Sequence, residues 1–239
     1  DERRTAWALR AGAASRDDSH WLSARMAARS EDARLTALLA LGRRQGHETE
    51  NNAHGAADAA NPADFRSDSA LAKFGFDGGA AGRWTATLEQ GRGERQTDVQ
   101  SQLFGPGRFA TTYALLADDR FRRDRLSLAS EWESIGPIGP VRALAYRQSS
   151  RSEQWSDQFR LADRATPFPS RRERGCVFGQ VSTGLELTGQ WRGEIGGTGH
   201  WQVFGLDLAR HDFEGLRDGL ETNLVTGAGT PVILGEVFP

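Results

Sequence analysis

Cysteine is almost absent from the 239 residues: Cys176 stands alone. One cysteine builds neither an internal disulfide framework nor a thiolate metal cluster, and Cys176 reads as a small apolar residue of a strand wall. Apolar residues are also scarce, at 38%. No run approaches the roughly 18 consecutive apolar residues of a transmembrane helix. Charge of one sign is lacking too. The net charge is −2, so no bulk attraction to nucleic acid is expected. No charged leader followed by an apolar segment is visible, so no signal peptide is read, and the chain reads as a processed product or a fragment. Signatures of catalysis are missing as well. His20, His47, His54, His200 and His211 are scattered, with no HExxH, CxxC or GxSxG and no glycine-rich loop opening a helix. Asp17-Asp18 and Asp118-Asp119 read as turn caps, and His211-Asp212 as an exposed polar pair. The reading is therefore not an enzyme, with no metal site.

What is present is alternation. Ala70, Ala72, Phe74 and Phe76 interleave with Leu71, Lys73, Gly75 and Asp77. Trp84, Ala86 and Leu88 share one phase, as do Val177, Val181, Thr183, Leu185 and Leu187, and Phe204, Leu206 and Leu208. A period of two is the strand signal. Nine segments carry it, near 4–15, 19–30, 33–46, 68–77, 82–96, 122–134, 140–152, 172–191 and 199–215. Globular strands run about five or six residues, whereas a tilted strand crossing a bilayer needs about nine to eleven. Nothing long and apolar remains to form a helical layer over them.

The connections alternate. Short, turn-forming links fall near Ser30–Ala33, Asp77–Gly82, Ser134–Pro140 and Arg192–Gly199, and a tight turn at Arg16–Ser19 is the exception on the other side. Long polar loops are expected at 47–67, 97–121, 152–171 and 216–235. Short turns on one side and long loops on the other are the pattern of an outer-membrane barrel. Trp7, Trp84, Trp132, Trp191 and Trp201 all fall near the short-turn ends, as an interfacial aromatic girdle does, although Trp201 shares a phase with Asp207. Arg10, Arg25, Lys73, Arg83, Glu89, Glu131, Arg142, Glu186 and Asp207 fall mostly on the non-apolar phases. That suits a wide polar lumen.

The fold expected is all-β: an antiparallel transmembrane β-barrel segment of about nine strands, open and curved as a fragment. The segment Arg43-Arg44-Gln45-Gly46-His47-Glu48-Thr49-Glu50-Asn51-Asn52 resembles an early-barrel segment of TonB-dependent receptors of the hemoglobin/transferrin/lactoferrin (haem-uptake) family. Arg123-Asp124-Arg125-Leu126-Ser127-Leu128, Gly205-Leu206-Asp207-Leu208-Ala209-Arg210 with Leu216-Arg217-Asp218-Gly219, and Leu234-Gly235-Glu236-Val237-Phe238-Pro239 are similar to later segments. The resemblance implies a 22-stranded barrel plugged by an N-terminal domain, in the bacterial outer membrane, taking up haem or another iron source with energy from the TonB complex. Residues 1–239 would be a partial barrel domain, without the plug and the C-terminal strands. Expected partners are membrane lipid, the plug, the TonB complex and haem or a haem-carrier protein, with haem as cargo and no cofactor held by this segment. Loop residues proposed to meet the ligand are His47, His54, Phe104, Tyr113, Arg120, Trp155 and Phe159. A siderophore or cobalamin receptor, a passive porin-type barrel and a non-membrane all-β binding module remain open.

Overall fold

The structure, a computed structural model, describes residues 4–49 and 60–232. These form one antiparallel sheet of ten strands in chain order, each paired with its neighbours in sequence. The strands are β1 (Thr5–Ala14), β2 (Ser19–Arg29), β3 (Leu35–His47), β4 (Ala63–Asp77), β5 (Arg83–Asp98), β6 (Thr112–Trp132), β7 (Ile138–Arg160), β8 (Ser170–Ile195), β9 (Thr198–Asn223) and β10 (Gly229–Pro231). The only helical elements among the described residues are 3-10 turns at Gly79–Ala81, Gln100–Gln102 and Gly107–Phe109. None is long and apolar enough to cross a membrane.

Local propensity alone would not give this sheet. β1 and β3 are rich in alanine, leucine and arginine, all good helix formers. A helix, however, would put Arg10 on the face of Trp7, three residues away. The period-two pattern segregates them, and pairing across the sheet rewards the segregation.

The register sorts the side chains onto two faces. On the first, Ala28, Ala37, Phe74, Ala86, Leu128, Ala145, Leu185 and Leu208 follow one another as direct cross-strand partners from β2 to β9. The next row toward the long-loop end runs Trp7, Met26, Leu39, Ala72, Leu88, Leu126 and then turns polar at Arg147, Thr183 and Arg210. One row further, Leu9, Ala24, Leu41 and Ala70 give way to Gln90, Asp124 and Ser149. In the row after that, Ala11 and Leu22 give way to Arg43, Asp68, Arg92, Arg122 and Arg151. The apolar band thus ends between β2 and β3 in one row, between β4 and β5 in the next and between β6 and β7 in the next. Its boundary steps by one row, two residues, for every two strands.

No layer covers this band. Trp7 is 81% exposed, Phe74 55% and Leu126 54%. The buried apolar side chains among the described residues are Ala63, Leu115, Val141 and Val177. The accessible surface is 16606 Å², against about 10,600 Å² expected of a compact soluble protein of 26.2 kDa. The sheet is not closed. Among the described residues β1 pairs with β2 alone, and β10 meets β9 at Leu220, Glu221 and Thr222.

Several expectations need correction. There are ten strands, not nine, because Gly229–Pro231 returns to pair with β9. The strands also run further into the supposed loops. β4 starts at Ala63, β6 at Thr112, β7 reaches Arg160 and β9 reaches Asn223. The links at this end shrink to 99–111, 161–169 and 224–228. The cause is compositional: above the apolar band both faces are polar, so alternation fades while pairing continues. At the other end Arg192–Ile195 are strand, and the turn is only Gly196-Gly197, whose φ values of 62° and 78° suit a two-residue hairpin that side chains would strain. The segment Leu234–Pro239 lies outside the described residues, as do Glu50, Asn51 and Asn52.

Candidate functional site

The second face carries most of the charged side chains of the strand cores, with a few apolar ones such as Leu38, Leu71 and Leu144 between them. Arg10, Arg25, Lys73, Arg83, Glu89, Glu131, Arg142, Glu186 and Asp207 all lie on it. Arg142 faces Glu131 at 3.7 Å and Arg123 faces Glu89 at 3.6 Å. Smaller residues, such as Ser127, Gln148 and Ser182, fill the positions between. Ser182 Oγ lies 2.8 Å from His211 Nδ1, but Asp212 points to the other face, where Arg210 donates to it at 2.9 Å. The trio of a hydrolase is therefore not assembled. Among the described residues no group of three His, Cys, Asp or Glu side chains is placed to hold a metal.

The tryptophans cluster at the short-turn end. Trp7, Trp84, Trp132 and Trp191 share the apolar face, while Trp201 lies on the polar one, where Arg192 stacks 5.5 Å from its ring. Trp84 and Trp132 pack edge to face at 5.5 Å. Both indole N–H groups donate to the Ala81 carbonyl, at 3.1 and 3.2 Å.

At the opposite end the ligand candidates divide. His54 lies outside the described residues. His47 closes β3 and its Nδ1 pairs with Asp64 at 2.7 Å. Phe104 alone sits in a link, with φ of 51°, its N–H donating to the Thr112 carbonyl. Tyr113, Arg120, Trp155 and Phe159 lie on strands rather than loops. Tyr113 and Phe159 meet at 6.1 Å, and Arg171 stacks on Phe159 at 5.7 Å while holding Asp157 at 2.6 Å. His47 and Trp155 line one groove of about 860 Å³, together with Asp64, Gln96, Asp118 and Asp157. That groove is on the first face, beyond the apolar band. Arg120 pairs with Asp118 at 3.1 Å and stays outside the aromatic cluster.

Sequence reasoning missed the most buried polar group of the molecule. It sits on the second face where β6 to β9 approach the long-loop end. Gln158, Thr112 and Ser170 have no solvent exposure. Gln158 Nε2 donates to Thr112 Oγ1 at 2.6 Å. Glu221 accepts from Ser170 Oγ at 2.8 Å, Arg172 Nη2 at 2.7 Å and Arg160 Nη1 at 3.2 Å. Arg160 also donates to Asp163 at 2.7 Å, and its side chain is 7% exposed. Burial pushes the Glu221 carboxyl up, but hydrogen bonds from Arg172 and Ser170 outweigh it and hold the group below its ordinary value. Burial, with Arg172, Arg108 and Arg160 nearby, pushes the Arg174 guanidinium down. Arg160 Nε, Arg172 Nε, Arg174 Nε and Nη2 and Gln158 Oε1 are buried without a partner. The signal was available in Ser170-Arg171-Arg172-Glu173-Arg174, whose alternation puts Arg172 and Arg174 on one face.

No protein-family model matches this chain, and a search of curated proteins returns no match.

Proposed function

We propose that this sheet is part of the wall of a larger outer-membrane β-barrel, with the first face toward lipid and the second toward a wide polar lumen. The observation that carries the proposal is the oblique edge of the apolar band. A membrane boundary is level, so it crosses the hydrogen-bonded rows at the tilt of the strands. A step of two residues per two strands, at about 3.3 Å per residue and 4.8 Å between strands, corresponds to a tilt of about 35°. Barrel strands tilt by about 35–45°. An apolar band laid against a second protein layer has no reason to drift in this way. The uncovered leucines, the tryptophans at one end and the nine charges on the opposite face support the same reading. The edges of β1 and of β9 from Thr198 to His211, unpaired among the described residues, invite further strands.

Within that barrel, the function is TonB-dependent uptake of haem or another iron source. This part of the proposal rests on the segment resemblance, with capture at the long-loop end. Its test is growth of an iron-starved deletion strain of the parent organism, complemented with the full gene. Rescue on haem or hemoglobin is expected. Rescue by ferric siderophore alone would defeat the haem assignment, and protein that stays in the aqueous fraction without detergent would defeat the membrane assignment.

A further inference from the structure

The buried cluster on the second face has more cationic donors than anionic acceptors. The strongest charge influences on Arg174 come from three cations, Arg172, Arg108 and Arg160, and one carboxylate, Glu221. Glu221 is already occupied by Ser170, Arg172 and Arg160. Arg174 is left with Nε and Nη2 buried and unpartnered. These two atoms share one edge of the planar guanidinium, the edge that holds two oxygens of a single carboxylate or phosphate. A buried donor without a partner is costly, and Arg160 Nε and Arg172 Nε add to the deficit. Arg174 stands one row inward from Gln158, Arg172 and Glu221, between Ser156 on β7 and Gly219 on β9. Ser156 is short, and the Val232 carbonyl stands where a Gly219 side chain would be, yet Arg174 Nε and Nη2 find no partner among these neighbours.

We propose that Arg174, backed by Arg172 and Arg160, receives an oxyanion of the captured ligand, a carboxylate or a phosphate group, on the lumenal face near the long-loop end. The inference rests on the transport reading and narrows its cargo to an anionic molecule. Arg174 acts as a binding residue, while Glu221 fixes Arg160 and Arg172 so that they present their remaining N–H groups without collapsing onto one another.

The test is thermal unfolding of the detergent-solubilised full chain, followed by tryptophan fluorescence, titrated with citrate or inorganic phosphate at constant ionic strength set by chloride. A saturable rise in Tm is expected. Response to citrate alone assigns a carboxylate, and response to phosphate alone a phosphoryl group. Arg174→Ala is expected to weaken half-saturation by about tenfold or more, Arg174→Lys by less, since an ammonium keeps the charge but loses the two-pronged edge. Arg142→Ala, a lumenal arginine far down the same face, is expected to leave the titration unchanged. Absence of saturation with both anions in the unmutated protein would overturn the proposal, as would equal weakening by Arg142→Ala, which would mean diffuse lumenal charge. A protein that needs no detergent would sink the barrel reading and leave this titration interpretable.

Discussion

At the scale of single residues, the short-turn end is organised by one carbonyl. Ala81 O accepts from two indoles, so each N–H is satisfied while both rings stay on the apolar face. Gly82 makes this possible. Its φ is 85°, and a Cβ there would come within 2.5 Å of Trp132 Nε1. Gly82→Ala therefore combines backbone strain with displacement of an indole and is expected to cost roughly 1–3 kcal/mol. Trp132→Phe, which removes the N–H donor and trims the indole to a single ring, is expected to cost at least about 0.5–1.5 kcal/mol. Urea unfolding of vesicle-inserted protein measures both, and a negligible cost for Trp132→Phe would show that the hydrogen bond to the shared carbonyl contributes nothing. At the other end, Asp163 closes the 161–169 link. Its Oδ1 accepts from the backbone N–H groups of Ala165 and Thr166, at 2.8 and 2.7 Å. The Thr166 hydrogen bond, with help from Ala165, Arg160 and Thr111, holds its carboxyl below the ordinary value of 3.8. A lowered carboxylate contributes stability that is present above its unfolded pKa and lost as pH falls through the folded one. The link is thus expected to stay closed above pH 4 and to open only below the ordinary carboxylate range. Amide exchange at Ala165 and Thr166 would read this, and loosening that begins near pH 6 would refute it. The tryptophan level was legible from spacing alone. The shared acceptor was not, because Ala81 and Trp132 are distant in sequence and meet only through the β5–β6 pairing.

At the scale of elements, the decisive property is which face a position occupies. Leu128 and Ser127 are neighbours on β6 but lie on opposite faces, Leu128 between Ala86 and Ala145, Ser127 between Thr87 and Tyr146. On the proposed barrel reading, Leu128→Arg is expected to destabilise the inserted protein by about 2–4 kcal/mol, the cost of an arginine near the middle of a lipid face. On the same reading Ser127→Arg, on the lumenal side, is expected to change stability little. Leu41→Arg belongs to the same face as Leu128 but to the last apolar row on β3, where Arg43 follows on that face, so its cost is expected to fall to about 0–1 kcal/mol. Equilibrium folding into vesicles ranks the three, and equal costs for Leu128→Arg and Ser127→Arg would contradict the assignment of faces. The same contrast explains what the sequence made legible. In the apolar band one phase is greasy and the other polar, so the strand cores and their facing residues could be read directly. Beyond it, Asp118 and Arg120 on one face alternate with Asp119 and Phe121 on the other. No periodicity survives there, and β6 was read ten residues short. The buried cluster around Gln158 and Glu221 was hidden for the same reason: it lies where strands had been taken for loops.

For the whole molecule, the surface ledger and the edges point the same way. The chain exposes about 6,000 Å² more than a compact protein of its mass should. The exposed surface includes an uncovered apolar band that runs from strand to strand, whereas soluble monomers rarely expose contiguous apolar patches beyond a few hundred Å². Among the described residues β1 also presents an unpaired edge, as does β9 from Thr198 to His211. Each edge offers a row of backbone donors and acceptors to any strand that approaches. The two liabilities call for different remedies. Detergent covers the band but leaves the edges open, because hydrocarbon supplies no hydrogen bonds. Residues 1–239 alone are therefore expected to aggregate in aqueous buffer, and in detergent to remain dispersed but associate edge to edge into oligomers. The full gene product is expected to be monomeric in the same detergent, since further strands would occupy both edges. Sedimentation of the two forms side by side distinguishes the terms. A monodisperse, detergent-free monomer of residues 1–239 would mean that the band is covered and the edges are paired within this chain alone, and neither the lipid-facing wall nor the larger barrel would survive that result.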